Sequence, residues 1–140
     1  WEMLTRLGND RLAVTGPQPG SRHSVLATRS ENQIQLLVYN FMESDDELEK
    51  TDTITIEVTN LDCKSNAAVT EYRLDRNNHN TYRTWQALGA PDKPDEETIA
   101  ALHEVAAITP TDKYSLEVSP DLELKVELQR HSMMLVTIDL

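Results

Sequence analysis

Between residues 52 and 60 polar and apolar positions alternate: Ile54, Ile56 and Val58 fall on one side, and Thr53, Thr55, Glu57 and Thr59 on the other. A two-residue period of this kind marks a strand with one buried face. Residues 122–129 repeat the pattern, with Leu122, Leu124, Val126 and Leu128 set against Glu123, Lys125, Glu127 and Gln129. A turn at Arg130-His131-Ser132 then leads into residues 133–140, and the two segments are expected to pair as a hairpin. Residues 34–41 differ in being apolar on both sides, Ile34, Leu36 and Val38 on one and Leu37, Tyr39 and Phe41 on the other. A strand of that type is covered on both faces. Residues 69–75 place Thr70, Tyr72 and Leu74 opposite Glu71 and Arg73, and weaker strand signals lie at 11–15, 24–28 and 114–118. Seven or eight short strands predict a mainly β chain: an antiparallel β-sandwich, immunoglobulin/fibronectin-like or jelly-roll-like.

Two regions have helical rather than strand periodicity. In residues 1–8, Trp1, Met3, Leu4 and Leu7 share one side of a short helix, and Gly8 is expected to end it in the left-handed conformation. This segment reads as the last turns of a helix from a preceding domain, with residues 9–140 forming the sandwich; the alternative is an amphipathic helix that opens the domain itself. The second region, about 79–108, is a two-helix insertion. Asn80 can cap a helix over residues 81–88, Gly89 can close it and Pro91 blocks its continuation. Asp95 can cap a second helix whose first turn holds Glu96 and Glu97 and whose apolar stripe is Ile99, Leu102 and Ala106. An eight-residue helix does not persist in water alone, so Tyr82, Trp85 and Leu88 are expected to dock on a surface, with Trp85 as the anchor.

Charge narrows the range of partners. With 13 basic and 24 acidic residues the formal net charge is -11, which repels phosphate backbones and anionic headgroups; neither nucleic acid nor membrane is expected as a partner. No metal or cofactor is expected: His23, His79, His103 and His131 lack the spacing of a helical metal site, and the single Cys63 has no nearby partner. The acidic run Glu43-Ser44-Asp45-Asp46-Glu47 lacks the glycine and terminal glutamate of an EF-hand and reads as a solvated loop. Neither a glycine-rich phosphate loop nor a Gly-x-Ser-x-Gly elbow is present.

The most distinctive stretch runs from Tyr72-Arg73-Leu74-Asp75 through a polar turn to Tyr82-Arg83-Thr84-Trp85, then Gly89-Ala90-Pro91 and Pro94-Asp95-Glu96-Glu97. It resembles the segment that follows the barrel in glycoside hydrolase family 39, the family of β-xylosidases and α-L-iduronidases. The likeness extends to Leu7-Gly8-Asn9-Asp10-Arg11, similar to the junction leaving the barrel, to residues 34–40 and to residues 135–140. The resemblance implies a retaining glycosidase parent whose two catalytic glutamates, about 5–5.5 Å apart, project from a (β/α)₈ barrel. A barrel of that kind needs roughly 200 residues or more, so it lies outside this chain, and no catalytic residue is carried over.

The resulting expectation is a non-catalytic accessory domain that packs on and stabilises the catalytic barrel of the same parent chain. Trp1, Met3, Leu4, Leu7, Met133 and Leu135 are the candidate interdomain surface. Cut free of the barrel, that patch is expected to be exposed and to drive self-association. The alternative is a carbohydrate-binding module in which Tyr82 and Trp85 form an aromatic platform and His79 and Asn80 supply polar contacts.

Overall fold

The computed structural model describes residues 2–16, 21–42, 50–61, 66–118 and 120–140. It is a sandwich of two antiparallel sheets. Six strands form the larger sheet in the order β1 (Asp10–Arg11), β2 (His23–Ser30), β3 (Gln33–Asn40), β8 (Ser132–Asp139), β5 (Asn66–Leu74) and β6 (Asp112–Glu117). The smaller sheet pairs β4 (Thr51–Val58) with β7 (Leu122–Gln129), Ile54 facing Val126 and Ile56 facing Leu124. The acidic run at 43–49 and Cys63 lie outside the described residues.

The main core fills the space between the sheets. Leu122, Leu124, Val126 and Leu128 of β7 meet Ile34, Leu36 and Val38 of β3 and Met134, Val136 and Ile138 of β8. The two halves of the expected 122–140 hairpin therefore do not pair. At Arg130-His131, where His131 takes a positive φ of 54°, the chain crosses from the small sheet to the large one, and β8 enters between β3 and β5. Side-chain pattern explains the separation. β7 is apolar on one side only and suits a sheet with a solvent face, whereas β8 carries Met133 and Leu135 opposite Met134, Val136 and Ile138 and needs cover on both sides.

That second cover comes from the chain itself. Met3, Leu37 and Leu135 form a separate buried cluster on the outer face of the large sheet, joined by Leu7, Leu26, Tyr72, Ile108 and Met133. The lid is α1 (Glu2–Thr5), a single turn far too short to hold its shape alone. Glu2 accepts the Ile108 amide at 3.1 Å and the Arg6 guanidinium at 2.9 Å, and Arg6 lies 4.4 Å over the Tyr72 ring. The apolar patch expected to be open is therefore largely closed within one chain: Met3 is 5% and Leu135 0% exposed, Leu7 and Met133 are half-buried, and Leu4 remains exposed. With the patch covered, the expected self-association loses its basis. Trp1 lies outside the described residues.

Gly8 also differs from expectation. Its φ is not positive, so it is no left-handed cap. A Cβ at this position would run into the Arg29 carbonyl of β2, so the glycine is required for close backbone approach. Its amide donates to Thr28 Oγ1 at 2.9 Å and to Gln35 Oε1 at 3.1 Å, which satisfies the polar end of the same sheet face.

Candidate functional site

The two-helix insertion joins β5 to β6, which are neighbours in the large sheet, so it is a long excursion from one hairpin. It departs through a turn in which Asp75 Oδ1 accepts the amides of Asn77 and Asn78, both at 2.8 Å, and returns where the Thr111 amide meets the Glu71 carbonyl at 2.8 Å. The expected caps are present. Asn80 Oδ1 accepts the Arg83 amide at 3.1 Å to begin α2 (Thr81–Ala87), and Asp95 Oδ1 accepts the Thr98 amide at 2.9 Å to begin α3 (Glu96–Ala106). Gly89, at φ 88°, closes α2.

Neither helix holds a fully buried residue. Tyr82, Leu88 and Ile99 are exposed, Tyr82 to 62%, and Ala106 is exposed too. The half-buried stripe of α3 is Thr98, Ala101, Leu102 and Val105, not Ile99, Leu102 and Ala106. The expected docking of Tyr82 and Leu88 does not occur, because the insertion stands off the sandwich and its helices lean on each other. Trp85 is half-buried: its indole N–H donates to the Pro91 carbonyl at 3.2 Å and its ring stacks on Tyr82 at 5.7 Å between centroids. It braces the insertion and does not enter either core cluster.

Beside α2 lies an open groove of about 520 Å³, between the end of β5 and the turn joining β7 to β8. Of the four residues proposed for sugar contact, His79, Asn80 and Tyr82 line it, and Trp85 backs it through Tyr82. Two of the four are already engaged. His79 Nδ1 lies 3.2 Å from the Val105 carbonyl, while Nε2 receives the Thr109 amide at 3.4 Å. Nε2 also lies 3.3 Å from the Thr109 carbonyl, so the ring ties the start of the insertion to its end. Asn80 is used up by the α2 cap and by the Arg76 carbonyl.

Arginine, not histidine or asparagine, supplies most of the polar lining. Arg76, Arg83 and Arg130 all face the groove, with Gln86 and His131 beside them. Reading the sequence for an aromatic platform missed them. The available signal was spacing, since 76, 79/80, 83 and 86 recur at three to four residues along one side of α2 and the turn before it. Arg130 contributes mainly from below: its side chain is 3% exposed and points to the Met42 sulfur and to Asp52 Oδ2, 3.6 Å away.

Asp52 gathers a second polar cluster at one end of the sandwich. It accepts from His23 Nε2 at 2.9 Å and Asn40 Nδ2 at 3.0 Å, with Arg22 at 3.3 Å. Burial alone would raise its pKa, but the bonds from His23 and Asn40 and the charges of Arg130 and Arg22 outweigh burial and hold the carboxyl below its usual range. A second acid, the buried Glu71, receives Arg73 Nη2 at 2.7 Å and the Tyr114 hydroxyl at 2.9 Å. Burial, and then the bond to Glu71, push the Tyr114 hydroxyl above its usual range, so it stays a proton donor. Both acids are saturated by their partners and act in cohesion. Among the described residues no group of three His, Cys, Asp or Glu is placed to hold a metal ion, and no helix is long and apolar enough to cross a membrane.

No family model and no curated protein matches the chain. Solved structures do match in fold. A monomeric β-xylosidase from Caulobacter crescentus superposes with a TM-score of 0.74 at 15% identity, over 99% of this chain and 29% of that one. The bacterial orthologue of human α-L-iduronidase gives 0.70 at 18% identity, over 99% of this chain and 26% of its own. The GH39 enzyme from Xanthomonas axonopodis pv. citri gives 0.65 at 12% identity, over 82% of this chain and 25% of its own. The sandwich and its insertion thus have the fold of a segment found in glycoside hydrolases of family 39, and the chain spans less than a third of the length of these enzymes.

Proposed function

We propose that this chain is a non-catalytic accessory domain of a family 39-like retaining glycosidase, of β-xylosidase or α-L-iduronidase type, and that it packs on and stabilises a catalytic barrel in the same parent chain. The observation that carries this reading is the lopsided coverage: nearly the whole chain aligns, but with only 25–29% of each enzyme. Residues 1–8 then correspond to the end of a helix arriving from the barrel. Since Met3 and Leu135 are consumed by the domain's own second core, contact with the barrel falls to side chains left open, Leu4 near the N-terminus and Leu88 and Ile99 on the insertion. The test is to express a barrel-containing parent with and without this domain. A barrel that loses thermal stability on deletion supports the reading, and one that keeps both stability and activity sinks it.

A second reading, a carbohydrate-binding module, is favoured by one feature. Tyr82 is 62% exposed at the mouth of the groove and braced from behind by Trp85, and an aromatic ring held open in this way is a surface for the C–H face of a sugar. Binding of soluble xylo-oligosaccharides to the isolated chain, lost in Tyr82→Ala, tests it.

A further inference from the structure

We propose that the catalytic barrel of the parent chain sits on the outer face of the large sheet, over the row formed by Tyr39, Met133 and Leu74. The inference rests on the accessory-domain reading and adds to it the face that makes the contact.

Cross-strand register arranges this face in rows. Leu26, Leu37, Leu135 and Tyr72 stand side by side across β2, β3, β8 and β5, and Met3 of α1 roofs them. Two residues along each of the last three strands, Tyr39, Met133 and Leu74 are again in register. They point to the same side, because side chains on one face of a strand recur every second residue. This next row has no such roof. Tyr39 and Leu74 are exposed, Met133 is only half-buried, and Phe41, the following outward position after Tyr39, is 59% exposed. Scattered apolar side chains on a surface are ordinary, but an open row that continues a buried cluster is a contiguous patch.

The opposite side of the sandwich is built for water. The outer face of the small sheet sets Thr53, Thr55 and Glu57 opposite Glu127, Lys125 and Glu123, all exposed. The two rows on the large sheet hold no charged residue, although 24 of the 140 residues are acidic. Tyr, Phe, Met and Leu without charge are the makeup of the centre of a protein–protein contact, where aromatic residues and Met are enriched and Asp, Glu and Lys depleted. The aliphatic Met133 and Leu74 favour a protein over a sugar, which is held by aromatic faces with polar groups around them. α1 identifies the protein. On the accessory-domain reading α1 is the end of a helix arriving from the barrel, and it lies on this face next to the open row, so the barrel is delivered to the same side of the sheet. A second copy of the chain is a poorer occupant, since each partner would bring a formal charge of -11.

The test is hydroxyl-radical footprinting of the barrel-containing parent and of the 140-residue chain, read by mass spectrometry at Tyr39, Phe41 and Met133, side chains that oxidise readily. The expected result is a severalfold slower oxidation of Tyr39 and Phe41 in the parent. Phe41→Glu and Leu74→Glu should each lower the melting temperature of the parent by several degrees. The 140-residue chain with the same change should melt close to its unsubstituted form, because these side chains are open there. Equal rates at Tyr39 and Phe41 in the two proteins, with protection confined to Tyr82 and Trp85 of the insertion, would overturn the choice of face and leave packing on a barrel standing. Equal rates at every residue would remove the accessory-domain reading along with the inference. Protection within the 140-residue chain that grows with its concentration, or on adding xylotriose, would give the row to a second copy or to a sugar and overturn the inference.

Discussion

Leu37 of β3 and Leu135 of β8 stand directly opposite each other on the face of the large sheet turned away from the sandwich core, and Met3 of α1 closes over both. The domain therefore has two apolar layers, one between its sheets and one beneath a single helical turn. Leu135→Ala should cost about 2–5 kcal/mol, as for a fully buried leucine in a main core. Met3→Asp should release α1 from the sheet and expose the cluster to a hydrophobic dye. Urea unfolding of Leu135→Ala with a loss below about 1 kcal/mol would show that the outer cluster is not cohesive.

Two of the described glycines, Gly8 and Gly89, have opposite roles and make a paired prediction. Gly8→Ala sets a methyl group against the backbone carbonyl of Arg29 and should cost about 1–3 kcal/mol through overpacking. Gly89→Ala meets no atom within 4 Å and suffers only from its positive φ, a cost of roughly 1 kcal/mol felt within the insertion. Thermal unfolding of the two variants should rank them in that order, and a reversed ranking would contradict the close approach of residue 8 to β2.

Trp85→Ala tests whether the insertion is part of the cooperative fold. Because the ring is half-buried and belongs to neither core cluster, global stability should fall by only about 1 kcal/mol. Amide exchange across residues 81–106 should accelerate far more, since the insertion would open while the sandwich stays closed. A global loss of 3–5 kcal/mol, the cost of removing a core aromatic, would mean that the insertion anchors the sandwich after all.

Acid should destabilise the domain through Asp52. Its pKa is held below the ordinary 3.8 in the folded state, so its contribution is fully present above the unfolded value and is lost as pH falls through the folded one. Urea midpoints measured downward from pH 5 should therefore decline, and the decline should be shallower in Asp52→Asn. That variant should also be less stable near neutral pH, because Arg130, 3% exposed, loses its nearby carboxylate. An Asp52→Asn protein with the same acid slope as the wild type would place the acid sensitivity elsewhere.

Much of this architecture was legible in the sequence. The one-sided alternation of β4 and β7 and the caps at Asn80, Asp95 and Gly89 all stand where contiguous residues placed them, whereas of the apolar positions on the second face of β3 only Leu37 is covered, and Tyr39 and Phe41, expected to be covered too, are exposed. Periodicity and capping are local chemistry, decided within one turn or one strand. The groove was only partly legible: His79, Asn80 and Tyr82 line it together, but His79 and Asn80 are engaged by the insertion's own frame and the arginines went unread.

What tertiary structure alone decided was which face met which. Residues 122–140 contain two strands and a turn that would serve a hairpin equally well. Only the demand of β8 for cover on both faces sends it into the large sheet while β7 stays in the small one. Likewise nothing local tells whether Met3 and Leu135 await another domain or each other, because burial depends on where distant segments land. The sequence by itself determined the elements and most of their apolar faces; the packing of α1, the separation of β7 from β8 and the gathering of the groove's lining arise from contacts between residues far apart in the chain.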